Sequence, residues 1–220
     1  MHGYGESLMK VGVLGSGVVG RTLAEGFSRH GQETMLGTGN IAKLADWQKE
    51  HSSIQLGSFS DAARFGEIVV LSVKGSAAID VLRAAGADSL SGKPLIDTTN
   101  PIADAPPVNG LLRFFTNLDE SLMEHLQREF SDVRFVKAFN SVGAMQMVNP
   151  HYRDGMPTMF ICGNDAAAKK TVAGILVEFG WDVADMGHAQ AARAIEPLCM
   201  LWCILGLRDN EWTHAFKLLH

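Results

Sequence analysis

Of 220 residues only three are cysteine, and no two of them form a C-x-x-C pair. An odd count without paired spacing excludes a disulfide framework and fits a reducing compartment. Cys199 and Cys203 lie one helical turn apart, but Leu, Met, Trp and Ile surround them. With Cys162 they read as small buried hydrophobes, not as metal ligands. Clusters of Lys and Arg are also missing and the net charge is -5, which argues against a nucleic-acid partner. The longest apolar run, "LCMLWCILGL" from Leu198 to Leu207, is about half the roughly 20 residues of a membrane helix. It reads as a buried helix or an interface, so a homodimer is expected and a membrane partner is not. The opening "MHGYGESL" has no basic start followed by an apolar run. Residues 1–9 therefore read as a loose leader and the expected location is the cytoplasm.

What the chain has is apolar residues, 46% of the total, enough for a sizeable core. Short β-rich runs alternate with helical patterns: "KVGVL" (10–14), "ETMLG" (33–37), "EIVVLSV" (67–73), "PLIDTT" (94–99), "VRFVKAF" (133–139), "TMFICG" (158–163) and "WDVADM" (181–186), with "IQLGS" from Ile54 as a weaker candidate. This is the pattern of a doubly wound α/β fold, a parallel sheet covered on both faces. Val19, Leu23 and Phe27 mark the apolar face of a first helix that Gly31 stops. A later helix is expected to begin at Asn164 as cap and to end at Gly180. After Gly187 the pattern is helical to the end, with Pro197 kinking or restarting the helix and Leu198 to Leu205 apolar on every side. Asn149 and Pro150 suggest a soft boundary. It divides a nucleotide-binding domain over 10–150 from a small, mainly helical region over 151–220 packed on it.

Directly after the first run comes "GSGVVG", with Gly15, Gly17 and Gly20 in G-x-G-x-x-G spacing between a strand and a helix. In that setting Gly15 allows the tight turn, Gly17 the approach of pyrophosphate, and Gly20 close packing of helix on strand. The amides of Ser16, Val18 and Val19 then face phosphate. About twenty residues on, an NAD site carries an acid for the ribose 2′-hydroxyl. This chain has none there: "GTGNIAK" offers Thr38, Gly39, Asn40 and Lys43. A hydroxyl that donates and an ammonium that neutralises suit a 2′-phosphate, so the expected cofactor is NADP(H).

Ligands of open α/β sheets lie beyond the carboxyl ends of the strands. That rule selects Ser72, Val73 and Lys74 after the fourth strand, Asn100 and Pro101 after "LIDTT", and Asn140, Ser141, Val142, Gly143 and Ala144 after "VKAF".

With these residues in place the chain resembles the family of deazaflavin (coenzyme F420)-dependent NADP reductases. The motifs "VGVLGSGVVG", "GTGNIAK", "DTTNPI", "VKAFNSVGA" and "PTMFICGND" carry the likeness, which spans nearly everything from Lys10 onward. The resemblance implies a Rossmann-type domain with a small C-terminal extension, usually dimeric, that moves hydride between NADPH and a second planar cofactor: F420, or FMN or FAD as an exchangeable co-substrate. It also implies that Thr38, Lys43 and the backbone near Gly39 take the 2′-phosphate. By the same likeness the backbone around Ala144 takes the nicotinamide amide, and the acceptor ring stacks near Asn140, Val142 and Gly143. Two positions depart from the deazaflavin pattern: Gly39 stands where an Arg is expected and Asn140 where a His is expected.

No acid/base pair stands out; His151, Tyr152 and His188 read as surface or cap residues. Hydride transfer between stacked rings needs proximity and exclusion of water more than it needs an acid. Two other readings stay open: a small imine or carbonyl reductase, which would need a positioned proton donor, and a protein that binds NADP without turning it over. Trp202, Trp212, His214 and Phe216 are residues to watch as a lid or dimer face.

Overall fold

The computed structural model describes residues 8–219; of the leader expected over residues 1–9, residues 1–7 lie outside them, and the Met9 amide is tied to Gln32 Oε1 at 3.0 Å. Strands and helices alternate in the order β1 (Lys10–Leu14), α1 (Val18–Arg29), β2 (Glu33–Gly37), α2 (Ala45–Glu50), β3 (Gln55–Gly57), α3 (Phe59–Phe65), β4 (Ile68–Leu71), α4 (Ala78–Ala85), α5 (Ala87–Leu90), β5 (Pro94–Asp97), α6 (Leu122–Glu129), β6 (Arg134–Lys137), β7 (Thr158–Ile161), α7 (Ala166–Glu178), β8 (Asp182–Asp185) and α8 (Ala192–Asp209).

The first six strands form one parallel sheet in the order β3-β2-β1-β4-β5-β6. This is the doubly wound α/β architecture, and the chain reverses its winding direction between β1 and β4. β7 and β8 pair in parallel with each other. An antiparallel bridge between Lys137 and Cys162 ties them to β6. Strands such as β4, buried at every position, are apolar throughout because helices cover both faces. On one face α1 and α7 enclose a core around Leu23, Phe27, Val172, Leu176 and Trp181. On the other, α3, α4, α6 and the start of α8 enclose Leu71, Leu82, Leu126, Phe135 and Ile195.

Four details depart from the sequence expectations. The strands are shorter than the runs that announced them, because in "PLIDTT" and "VRFVKAF" the residues after Asp97 and Lys137 leave the ladder to make loops. The N-cap of α7 is Asp165, whose carboxylate accepts from the Ala168 amide at 2.7 Å; Asn164 instead accepts from the Ala189 amide at 3.0 Å, at the start of the last helical segment. Pro197 sits inside α8 without ending or restarting it. The chain is not helical to the end: after Asn210, in the left-handed conformation that closes α8, residues 211–219 run as an irregular strap. That strap returns to the sheet edge, where the Thr158 amide donates to Phe216 O at 2.9 Å and the Leu218 amide to Thr158 Oγ1 at 3.1 Å. The apolar run within α8 is covered on one side: Cys199 and Trp202 are buried, whereas Leu201 and Leu205 are exposed.

Candidate functional site

At the carboxyl ends of β1, β4 and β5 the molecule has a cavity of about 710 Å³. Its walls come from the turn before α1 (Gly17, Val18, Val19), the loop after β4 (Ser72 to Ser76), the end of β5 (Thr98 to Asn100) and residues 102–106. The glycine turn gives it its shape. Gly15 has φ +120°, a conformation that side chains disfavour. A methyl group on Gly20 would collide with the Gly15 carbonyl, so helix and turn could not approach as they do. At Gly17 the same methyl group meets nothing within 4 Å and points into open space. That open space over a helix N-terminus is the shape of a phosphate cradle. Ser72 Oγ holds the far side by donating to Leu14 O at 3.0 Å, so β4 and the turn are tied together.

The end of β2 lies beside this turn. Thr38 is nearly buried, and its Oγ1 is 2.9 Å from Ser16 Oγ and accepts from the Asn40 amide at 3.2 Å. Asn40 Oδ1 accepts from the Lys43 amide and begins a short 3-10 turn. Gly39, Asn40 and Lys43 are exposed, and no Asp or Glu occurs from Thr38 to Lys43. The structure thus brings Thr38 to the glycine turn and places Lys43, exposed, on the short turn that follows it.

The third group of expected residues sits behind the cavity. Asn100 lines it, Pro101 is buried under it, and the Asn100 Nδ2 donates to Asn140 O at 2.8 Å. Asn140 is itself buried, donating from Nδ2 to Asn100 Oδ1 at 3.2 Å and to Ile195 O at 3.0 Å, and its Oδ1 has no partner among the described residues. An unpaired buried amide oxygen is costly unless a ligand or water satisfies it. Ser141 and Val142 are buried, Val142 within the core on the α1 face. Gly143 packs on the Trp202 ring, where a methyl group would come within 3.0 Å, and Ala144 opens a 3-10 turn. The residues after β6 therefore form the support behind the crevice, with Asn100 as the contact between the two.

Sequence reasoning missed an ionic cluster directly beneath this wall. Lys137, Asp97 and Glu196 are all essentially unexposed. Lys137 Nζ is 2.7 Å from Asp97 Oδ2 and 2.9 Å from Glu196 Oε1, and it donates to Thr99 O at 2.9 Å. Burial opposes the ammonium, but the charges of Asp97 and Glu196 outweigh it and hold Lys137 above the ordinary lysine range. Asp97 Oδ1 accepts from the Thr99 amide and hydroxyl at 2.9 and 2.7 Å. The Glu196 carboxylate accepts from the amides of Leu122 and Met123 at 2.9 and 3.0 Å, capping α6. The signal was present: a Lys and an Asp inside otherwise apolar parallel strands, which turn out to be register partners. Residues 102–106 were missed as well, since a loop wall carries no periodic signal.

Titratable side chains are scarce around the cavity; Lys74 and Asp104 are the two in its lining. His151, Tyr152 and His188 are not part of it. Among the described residues no group of three His, Cys, Asp or Glu is placed to hold a metal. Of the thiols, burial pushes Cys162 up to about 12. The aromatic residues near the end of the chain come together: Trp202 lies 5.5 Å from Trp212 and 4.9 Å from His214 by ring centroid, and its Nε1 donates to His214 O at 2.8 Å. By length and composition Ala189–Asp209 could cross a bilayer, but here this helix packs on the fold and carries the buried Glu196.

The sequence profile of the family described as NADP oxidoreductase, coenzyme F420-dependent, matches residues 10–101. A protein from Arthrobacter sp. FB24, provisionally named an F420-dependent NADP-reductase, superposes with a TM-score of 0.91 at 36% identity, covering 96% of this chain and 100% of that one. Rat metalloreductase STEAP3 is 30% identical over 190 residues, which is 86% of this chain and 36% of that protein. This chain thus spans little more than a third of the length of that relative. At 16% identity a reductive aminase from Aspergillus terreus shares the fold, with a TM-score of 0.65 over 93% of this chain and 63% of that one.

Proposed function

The chain belongs to the family of coenzyme F420-dependent NADP oxidoreductases, and on that premise we propose that it transfers hydride between NADPH and a second planar redox cofactor, a deazaflavin or a flavin. The observation that carries this reading is the open space over Gly17 at the reversal point of the sheet, lined on its far side by a wall poor in acids and bases.

The residues fit the dinucleotide. The amides of Gly17 to Val19 and the dipole of α1 receive the pyrophosphate. Thr38 Oγ1, held by Ser16, and Lys43 receive the 2′-phosphate, and no Asp or Glu occurs from Thr38 to Lys43 to repel it. Ser72 to Lys74 and Asn100 bound the crevice in which the nicotinamide half lies. The nicotinamide supplies the hydride when bound; the chain orients the ring and keeps water out. Proton transfer from protein is not required when hydride passes between two rings, which is why a wall with only Lys74 and Asp104 favours this reading over reduction of an imine or carbonyl.

The test is anaerobic oxidation of NADPH with F420, with FMN and without acceptor, repeated with NADH. A fast rate with one planar acceptor, selective for NADPH and reduced about ten-fold in that selectivity by Lys43→Ala, is the expected result. Tight NADPH binding with no oxidation under any of these conditions overturns the hydride-shuttle reading.

A further inference from the structure

A second groove, about 510 Å³ in volume, runs along the outer side of α1. Val18, Arg21, Thr22, Glu25 and Arg29 of that helix form its floor, Trp47 and His51 one wall, and Met145, Val148 and Asn149 the other. Val18 also lines the cofactor cavity, so the two spaces meet across a single exposed side chain.

The charges in this groove are arranged unusually. Arg21, Glu25 and Arg29 follow one another at four-residue spacing, where Glu25 would pair with either arginine. It pairs with neither. Its Oε1 accepts from Trp47 Nε1 at 3.1 Å and lies 3.2 Å from His51 Nε2. His51 is fixed in turn, with Nδ1 2.8 Å from Trp47 O and its ring stacked on the indole at 4.4 Å between centroids. Among the described residues no carboxylate lies within salt-bridge distance of Arg21 or Arg29. Two guanidinium groups therefore face one groove unneutralised while the acid between them is held against the aromatic wall.

We propose that this groove anchors the anionic side chain, phosphate or carboxylate, of the hydride acceptor, while its ring meets the nicotinamide in the adjoining cavity. Arg21 and Arg29 bind the anion, and the Trp47–Glu25–His51 arrangement keeps the acid from competing for them. Guanidinium groups suit phosphate and carboxylate because their planar donors match the oxygen geometry. The proposal rests on the hydride-acceptor reading above, but its test reads binding without turnover, so the two fail separately.

The experiment is equilibrium binding to NADP⁺-saturated protein of three probes: FMN, riboflavin, which has the same ring without the phosphate, and inorganic phosphate. FMN is expected to bind about ten-fold or more tightly than riboflavin and to shift the Trp47 indole resonance. Arg21→Gln with Arg29→Gln should bring FMN down to the level of riboflavin, while Arg21→Lys with Arg29→Lys retains part of the difference. NADP⁺ affinity should not change in either variant. The proposal is overturned if FMN and riboflavin behave alike, bound or unbound, or if the preference for FMN survives loss of both arginines. It is equally overturned if inorganic phosphate binds as tightly as FMN, or if NADP⁺ affinity falls in parallel, since the groove would then serve a free anion or the nucleotide itself.

Discussion

Lys137 and Asp97 are joined twice: they are register partners in adjacent parallel strands, and their charged ends meet 2.7 Å apart with neither side chain exposed. Through Thr99 O on one side and Glu196 on the other, the same ammonium connects the wall of the cavity to α8. Lys137→Met should leave two buried carboxylates without their cation, a loss of about 3–5 kcal/mol by urea unfolding. The ammonium is held above its ordinary range, so its contribution is complete below that range and declines only as pH rises through the folded-state value. A variant as stable as wild type at pH 7 would show that the cluster does not hold the structure together.

Glu124 gives the opposite pH dependence. Arg193 donates to both of its oxygens at 2.9 and 2.7 Å, and together with Ser121 this holds the carboxylate down to about 2 against the effect of burial. Its folded value lies below the unfolded one, so the stabilisation is complete above the ordinary glutamate value of 4.5 and is lost as pH falls toward about 2. Glu124→Gln should cost about 1.5–3 kcal/mol at pH 7. The difference from wild type should shrink in unfolding curves between pH 4 and 2, about where the carboxylate titrates; a constant difference across that span would contradict the assignment.

Gly17 and Gly20 should separate binding from folding. Gly20→Ala forces a methyl group onto the Gly15 carbonyl, and a large loss of thermal stability is expected. Gly17→Ala has room for its methyl group in the folded chain, so Tm should hold while NADPH affinity drops about ten-fold or more as the methyl group occupies phosphate space. Fluorescence titration beside a thermal melt checks both. Equal NADPH affinity for Gly17→Ala and wild type would remove the phosphate from this turn.

We propose that the exposed side of α8 meets a second copy of this chain. Leu201 is 55% exposed and Leu205 38%, with Phe115 and Leu118 also exposed. Exposed apolar side chains that form a continuous patch mark interfaces. Light scattering at micromolar concentration should give a dimer, and Leu201→Glu should shift it toward monomer. A monomeric wild type would leave this face without a second copy.

The parallel sheet, the glycine turn and the missing acid after β2 were all legible in the chain as written. Each is a local property: apolar runs of strand length, a spacing of three glycines, and the side chains that follow a strand within a few residues. Helix starts were less so. Asn164 and Asp165 are both good caps, and which one starts α7 depended on the Ala189 amide, a partner distant in sequence. The end of the chain was misread as helical for the same reason: its strap is held by Thr158, not by its own pattern.

The sequence by itself determined the glycine turn and the succession of strands and helices along the chain, because backbone conformation and hydrophobic period act between near neighbours. Only the tertiary structure decided that Lys137, Asp97 and Glu196 share one buried site, that Asn140 stands behind Asn100, and that Glu25 turns from Arg21 and Arg29 toward Trp47 and His51. Those outcomes depend on which distant groups meet where water is excluded, and the energy of a charge there is set by the partners that packing brings to it.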